Sequence, residues 1–488
     1  MKRFSPKQAA MAAALFASLP AAALAQSWTP LKHTPSFSAG AMLQLSDGTI
    51  MVQDQGTCGC GGGNWWRLTP DKTGSYVNGT WSQLASMPSG YEPLYFASQV
   101  LPDGRVVVQG GEYNGSGNGV WTTKGALYDP VANSWTTVAP PKGWSTIGDA
   151  QSVLLADGTY MLANCCSTAE VTLDFSTMTY TTTGTGKADS NDEEGWTLLP
   201  SGQVLTVDAN DAADPVHTEI QTKGTWTFAG DSPVQLADCC GSGTSHEMGP
   251  QVLRPDGTVF AVGATGHTAI YSPSAKSWTA GPDFPKSGSL YYDEADGPGT
   301  LLPDGNVLLA ASPGVFRTPT KFFEFDGKKL KAEPATSTAS QDSSYGVRLL
   351  LLPTGQVMES DGSTDVEIYT PSGSANSAWA PVISSIKSTL KEGKSYTLKG
   401  TYLAGFSQAS AYGDDYQDAV NFPLVRITNT GTGDVFWAKT TGLSSYAPAN
   451  SKPVKVDVLI PTGIEKGAST LEVVAAGITS APVSVTIK

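Results

Sequence analysis

A hairpin phrase recurs seven times along this 488-residue chain, and its period limits the folds open to it. Each copy has a small polar residue, a Gly, one polar residue and an apolar run, as in Asp47-Gly48-Thr49-Ile50-Met51-Val52. The others centre on Asp103-Gly104, Asp157-Gly158, Ser201-Gly202, Asp256-Gly257, Asp304-Gly305 and Thr354-Gly355. The glycines stand 56, 54, 44, 55, 48 and 50 residues apart. That is the length of one four-stranded propeller blade. Asp-Gly is expected to supply the positive φ angles of a tight two-residue turn. The flanking apolar runs, such as Leu349-Leu350-Leu351-Leu352, are too short for helices and suit buried strands.

Two further phrases complete each blade. A third strand ends in Tyr128-Asp129-Pro130, Tyr271-Ser272-Pro273 or Tyr369-Thr370-Pro371. A fourth begins at Trp81, Trp135, Trp226 or Trp278, each expected to wedge between neighbouring blades. Ser27-Trp28-Thr29 matches the fourth-strand phrases Ser134-Trp135-Thr136 and Ser277-Trp278-Thr279. The N-terminal strand is therefore predicted to complete the last blade and remove a sheet edge. After Trp379 no such phrase recurs, and alternating strands such as Val454-Lys455-Val456-Asp457-Val458 predict an immunoglobulin-like sandwich. The expected class is all-β: a seven-bladed β-propeller over 26–378, then a sandwich over 379–488.

Residues 1–25 read as a secretory signal, with Lys2, Arg3 and Lys7 ahead of an Ala/Leu-rich stretch and Ala23-Leu24-Ala25 as the cleavage site. Export to the periplasm or medium is the expectation. The stretch is too short to span a bilayer, so membrane insertion is not expected. Residues 26–488 carry 27 basic and 44 acidic side chains, a net charge of −17. That balance argues against nucleic acid and anionic membranes as partners. A monomer is expected. Six cysteines fall in three groups, Cys58 with Cys60, Cys165 with Cys166, and Cys239 with Cys240. An even count in an exported chain predicts disulfides. Adjacent cysteines either close a small ring or pair elsewhere, and spacing leaves both open.

The blades and the C-terminal stretch Gly405-Phe406-Ser407-Gln408 through Asn421-Phe422-Pro423-Leu424-Val425-Arg426 resemble the secreted galactose oxidase/glyoxal oxidase superfamily, a kelch-type propeller with an early-set domain. That resemblance implies one copper held by two Tyr and two His, with one Tyr crosslinked to a Cys. Tyr345 lies ten residues before Gly355, where the family has its axial Tyr, but Gly346 follows it instead of His. The only histidines are His33, His217, His246 and His267, none in the C-terminal domain. No Cys lies at the crosslink position. Copper needs imidazoles in a defined geometry, so copper-radical chemistry is not expected.

In a propeller the first-to-second-strand turns share one face; the second-to-third loops and the links between blades share the other. Every Cys and His is expected on the face opposite the Gly turns, with Asp149, Asp192, Glu193, Glu194, Asp293, Glu294 and Tyr345. Loop cysteines ordinarily staple loops, and a single loop His is ordinarily a hydrogen-bonded surface residue. The clustering on one face is what those ordinary roles leave over. The sharpest stretch runs from Cys239-Cys240 to His246-Glu247-Met248. An imidazole suits acid or base work, and His246 is the candidate for it. Glu247, Glu194, Asp293 and Tyr345 complete the candidate set. Carboxylates around one axis suit calcium or an acid and base pair for sugar chemistry, and neither has a diagnostic spacing. Asp208, Asn210, Asp211 and Asp214 resemble a calcium loop but lack its Gly and terminal Glu. Tyr91, Tyr95, Trp65, Trp66, Tyr291 and Tyr292 are aromatics for that face, able to stack on sugar rings. The expected function is to bind or process carbohydrate or another small polar ligand on this face. The alternatives are an oxidoreductase with a different metal site and a non-catalytic envelope scaffold, and the residues leave catalysis open.

Overall fold

The computed structural model describes residues 26–241, 243–413, 415–416 and 418–488. The signal expected at 1–25 lies outside the described residues. Seven antiparallel blades follow in chain order, with innermost strands Ala39–Gln44, Ala97–Val100, Ser152–Leu154, Thr197–Leu198, Met248–Leu253, Gly299–Leu301 and Arg348–Leu351. No helix among the described residues is long and apolar enough to cross a membrane.

The repeated hairpin is one residue longer than a two-residue turn. In the first blade Gly48 N–H donates to the Leu45 carbonyl (3.0 Å) and Leu45 N–H to the Thr49 carbonyl (2.8 Å). The same pair of bonds recurs at Leu101, Leu155, Leu199, Arg254, Leu302 and Leu352. Only the Gly is left-handed, with φ +77° at Gly48. This is a four-residue turn closed by a Gly bulge. The Asp serves through its side chain: Asp47 Oδ1 accepts from Thr49 N–H, and Asp103, Asp157, Asp256 and Asp304 repeat the bond. Asp satisfies the backbone and Gly bends it.

The ring closes as the sequence implies. Ser27–Pro30 pairs antiparallel with Val366–Thr370 as the outer strand of the seventh blade, Trp28 opposite Tyr369. The fourth-strand tryptophans reach back across blade boundaries. Trp28 Nε1 donates to the Pro334 carbonyl (2.7 Å), Trp81 to His33 (2.9 Å) and Trp135 to Ala85 (2.9 Å). Trp226 donates to Glu170 Oε1 (2.5 Å) and Trp278 to Thr218 Oγ1 (2.9 Å). In the third blade Tyr180 stands in the Trp position and accepts from Gln109 Nε2 (2.5 Å).

The second sheet runs from Val382 to Ile487, nine strands curled on themselves. It packs on the face of the Gly hairpins. Thr440 N–H donates to Ser46 (3.0 Å), Gly442 N–H to Pro102 (2.7 Å) and Tyr446 N–H to Ala156 (2.8 Å). A Cβ on Gly48 would stand 2.6 Å from Trp437, so this Gly is required by sterics as well as by φ. From the second sheet, residues 402–413, 415–416 and 418–422 rise into the channel. Ser410–Ala411 adds a strand to Gly299–Leu301. Gln408 Oε1 accepts from Leu198 N–H (2.7 Å), and Tyr416 N–H donates to the Phe96 carbonyl (3.2 Å). One face of the ring is thus capped and its axis filled from that side.

Removing residues 26–36 would take Trp28 off Phe322 and Tyr369 and leave the outer edge of Val366–Thr370 unpaired. The expected result is loss of the cooperative transition in a circular-dichroism melt; a truncated chain melting as the full one does would refute ring closure.

Candidate functional site

Five consecutive blade entrances carry a left-handed residue: Tyr95 (φ +52°), Gly148 (+76°), Glu193 (+62°), His246 (+63°) and Asp296 (+52°). Four are not Gly, at roughly 1–2 kcal/mol each. The step turns each link sharply into its inner strand and sets side chains around the axis. Strain of this kind collects at functional sites.

Above the plug lies a cavity of about 280 Å³ lined by Tyr95, Glu112, Tyr113, Glu247, Asp296, Phe316 and Tyr345. Phe316 and Tyr345 are 41% and 38% exposed and meet edge to face at 5.3 Å. The plug forms the floor. Tyr412 Oη donates to the Tyr345 carbonyl and lies 3.3 Å from Asp296 Oδ2. Arg348, buried beneath, donates from Nη1 to the carbonyls of Tyr345 (3.1 Å) and Gly346 (2.5 Å). Its guanidinium stands 4.7 Å from the Tyr416 ring, 5.2 Å from Tyr412 and 5.7 Å from Tyr95. Arg348 therefore fixes the backbone that presents Tyr345.

The mouth is acidic. Burial lifts the Asp296 carboxyl to about 7; Arg348 opposes that and Glu112 adds to it. Burial raises Glu112, with Tyr113 opposing and Asp192 adding. Asp149 is raised well above the usual range by burial, then by Glu193, Glu112 and Asp192. Burial first, then Glu112, pushes the Tyr113 phenol up to about 12.

Of the sequence candidates, Glu247 and Tyr345 line this cavity. His246 stands beside it: Nδ1 is buried and accepts or donates no hydrogen bond among the described residues, and Nε2 lies 3.4 Å from Thr244 Oγ1. Asp293 lines a neighbouring cavity with Asp238, Tyr291 and Arg317, and burial lifts it to about 7. Glu194 turns away. It is fully buried against Lys187 Nζ (2.9 Å), which also meets Asp189 (2.6 Å), Glu219 (2.8 Å) and Asp208 (3.2 Å). Burial opposes that ammonium, but the four carboxylates outweigh it and hold it charged. A side-chain cation therefore occupies the center of Asp189, Glu194 and Asp208. Of the calcium-like run, Asp208 also bonds His217 Nδ1, Asp211 Oδ1 accepts from Ala213 N–H, and Asn210 Nδ2 donates to the Asp192 carbonyl. His267 bonds Asp283 on the rim (2.8 Å). His33 departs from the expected face: its Nδ1 meets the carbonyl of Gly79, in the third-to-fourth-strand turn of the first blade. Among the aromatics, Tyr95 reaches the mouth and Tyr291 the neighbouring cavity, while Trp65, Tyr91 and Tyr292 are buried and Trp66 stacks on Phe37. Sequence reasoning missed Glu112, Tyr113, Asp296, Phe316, Tyr412, Tyr416 and Arg348. A larger cavity of about 580 Å³ lies between the first-blade turns and the second sheet, with no comparable gathering of carboxylates and rings.

Each cysteine pairs within its own group: Cys58–Cys60, Cys165–Cys166 and Cys239–Cys240. No thiol is left for a thioether crosslink. The mouth offers phenols and carboxylates, with His246 the sole imidazole beside it, and the plug brings Tyr412 and Tyr416. These residues do not fit a copper held by two Tyr and two His.

No protein-family profile matches the chain. The kelch-like protein terF of Aspergillus terreus is 29% identical over 129 residues, 25% of this chain and 26% of that protein. The match thus spans about a quarter of that curated relative. Among solved structures, a catalytically inactive virginiamycin B lyase from Staphylococcus aureus with quinupristin gives a TM-score of 0.50 at 9% identity, covering 71% of this chain and 99% of that one. A fungal alcohol oxidase of the AA5 family in complex with copper gives 0.43 at 15% identity, covering 93% and 85%. The fold is a seven-bladed β-propeller, similar over about a quarter of the chain to a kelch-like protein. Its mouth is acidic and aromatic-walled and is floored by the plug.

Arg348→Met would remove the buried cation that three rings and two carbonyls surround. It is expected to cost about 3–5 kcal/mol in urea unfolding; a change under about 1 kcal/mol would show that Arg348 does not organise the floor.

Asp293 and Asp296 hold their protons more tightly folded than unfolded, where Asp titrates near about 4. Their stabilising contribution is complete below about pH 4 and is lost as pH rises through about 7. The melting temperature is expected to fall from pH 5 to pH 8, and the Asp293→Asn/Asp296→Asn double variant to flatten that fall. An identical slope in the variant would contradict the assignment.

Proposed function

We propose that this protein is exported and binds carbohydrate at the channel mouth, opposite the Gly hairpins, without copper-radical chemistry. The observation that carries the reading is the lining of one cavity: the rings of Tyr95, Tyr113, Phe316 and Tyr345 beside the carboxylates of Glu112, Glu247 and Asp296. Ring faces stack on the apolar face of a pyranose, and carboxylates accept from its hydroxyls. Asp296, titrating near 7, is suited to serve as general acid and Glu247 as base if the bound sugar is also processed. His246, next to Glu247 in the chain and beside the mouth, is the second candidate for proton transfer. On this reading residues 1–25 are the secretory signal and 379–488 an immunoglobulin-like early-set domain that caps the propeller.

The test is a glycan array followed by calorimetric titration of the best binders. Tyr345→Ala and Glu247→Gln are each expected to weaken binding at least tenfold, about 1.4 kcal/mol, with unchanged melting. For any hit that is turned over, His246→Ala and Glu247→Ala should abolish turnover and leave folding intact. Binding that survives both mouth substitutions would place the site elsewhere, and saturable turnover would exclude a purely scaffolding role.

A further inference from the structure

Resting on the carbohydrate reading, we propose that the ligand at the mouth carries a protonated amine: an amino sugar or its oligomer, in preference to a neutral saccharide. The first ground is charge. Glu112, Glu247 and Asp296 line the cavity, and no lining residue is cationic. Asp149 and Asp192 are electrostatic neighbours of Glu112, and Glu193 of Asp149. Arg348, beneath the floor, offsets only part of this charge: it acts on Asp296, while its Nη1 donates to the Tyr345 and Gly346 carbonyls and three rings enclose its guanidinium.

The second ground is an unsatisfied acceptor. Asp149 is only 7% exposed, and its Oδ1 accepts no hydrogen bond from the described residues. Burial and its acidic neighbours Glu193, Glu112 and Asp192 favour its protonated form. A buried carboxyl oxygen without a partner is costly, and an approaching cation would stabilise the ionised form instead. An ammonium brings up to three donors and the opposite charge.

The third ground is the walls. Tyr95, Tyr113, Phe316 and Tyr345 offer ring faces, which attract a cation as well as stack on a sugar. A bare divalent cation fits less well. It asks for six to eight oxygens at about 2.3–2.6 Å. Among the described residues, the clusters tight enough for an ion include neither Glu112, Glu247 nor Asp296. Asp192 joins one, but with the two sulfurs of the Cys165–Cys166 disulfide, which are not thiolates.

The experiment is calorimetric titration of the full chain with the β-1,4-linked glucosamine tetramer and with its N-acetylated counterpart, at 20 and 200 mM NaCl. The free-amine tetramer is expected to bind at least tenfold tighter at low salt, with the advantage shrinking severalfold at high salt. Asp149→Asn should erase most of that advantage and keep N-acetyl affinity within twofold. Asp192→Asn, outside the cavity lining and at a less buried position, makes the same test should the first variant fail to fold. Equal or tighter binding of the N-acetylated tetramer would overturn the amine inference and leave the carbohydrate reading standing. Silence of both tetramers, with spermidine or calcium chloride binding instead, would overturn both.

Discussion

The side-chain bond that crosses six of the seven blade boundaries is the contact on which the ring depends. A four-stranded blade has two apolar faces and cannot bury either alone. The fourth-strand indole fills the gap to its neighbour and ties its N–H to a carbonyl, a carboxylate or a hydroxyl there. A buried indole is both a large apolar body and a donor that must be satisfied, so it specifies distance and orientation together. Trp28 performs the same task from the opposite end of the propeller sequence, bonding Pro334 beside the sixth blade. Closure is therefore one more copy of the boundary that holds the other blades, made between segments some 340 residues apart.

The second sheet gives the ring two unlike faces. It covers the Gly hairpins, whose missing side chains let Trp437, Tyr446 and Trp379 approach. It then sends the plug along the axis until Tyr412 and Tyr416 close around Arg348. The channel becomes a blind cup, open only where the links and second-to-third loops gather. Water is displaced from its floor, so carboxylates arriving from several links lose hydration and crowd one another. The raised Asp149 and Asp296 carboxyls follow from that desolvation more than from any single neighbour.

Much of this was legible in residues. The hairpin period predicted seven blades, the Ser27-Trp28-Thr29 phrase predicted the closing strand, and loop order predicted which face would collect Glu247 and Tyr345. The turn type was misjudged because Asp-Gly suits both a two-residue turn and a bulged one. The choice between them rests on the hydrogen bonds of the preceding Leu or Arg. Glu193 and Glu194 are adjacent, and loop order cannot say which faces the axis. The left-handed step at Glu193 sends Glu194 to Lys187.

Strand pairing within a blade is local in sequence, so period, turn residues and aromatic phrases were enough to determine the blades and their number, and Trp28 marked the distant closing strand because its phrase copies theirs. The floor of the mouth is not local. Arg348 opens the seventh inner strand, Tyr95 stands before the second, and Tyr412 and Tyr416 lie in the plug, between the second-sheet strands Ser395–Thr401 and Leu424–Asn429. No spacing relates them, because they meet only after the ring has closed and the plug has entered it. Which carboxylates are desolvated, which find a cation and which are left facing the open cup is decided there, by tertiary packing alone.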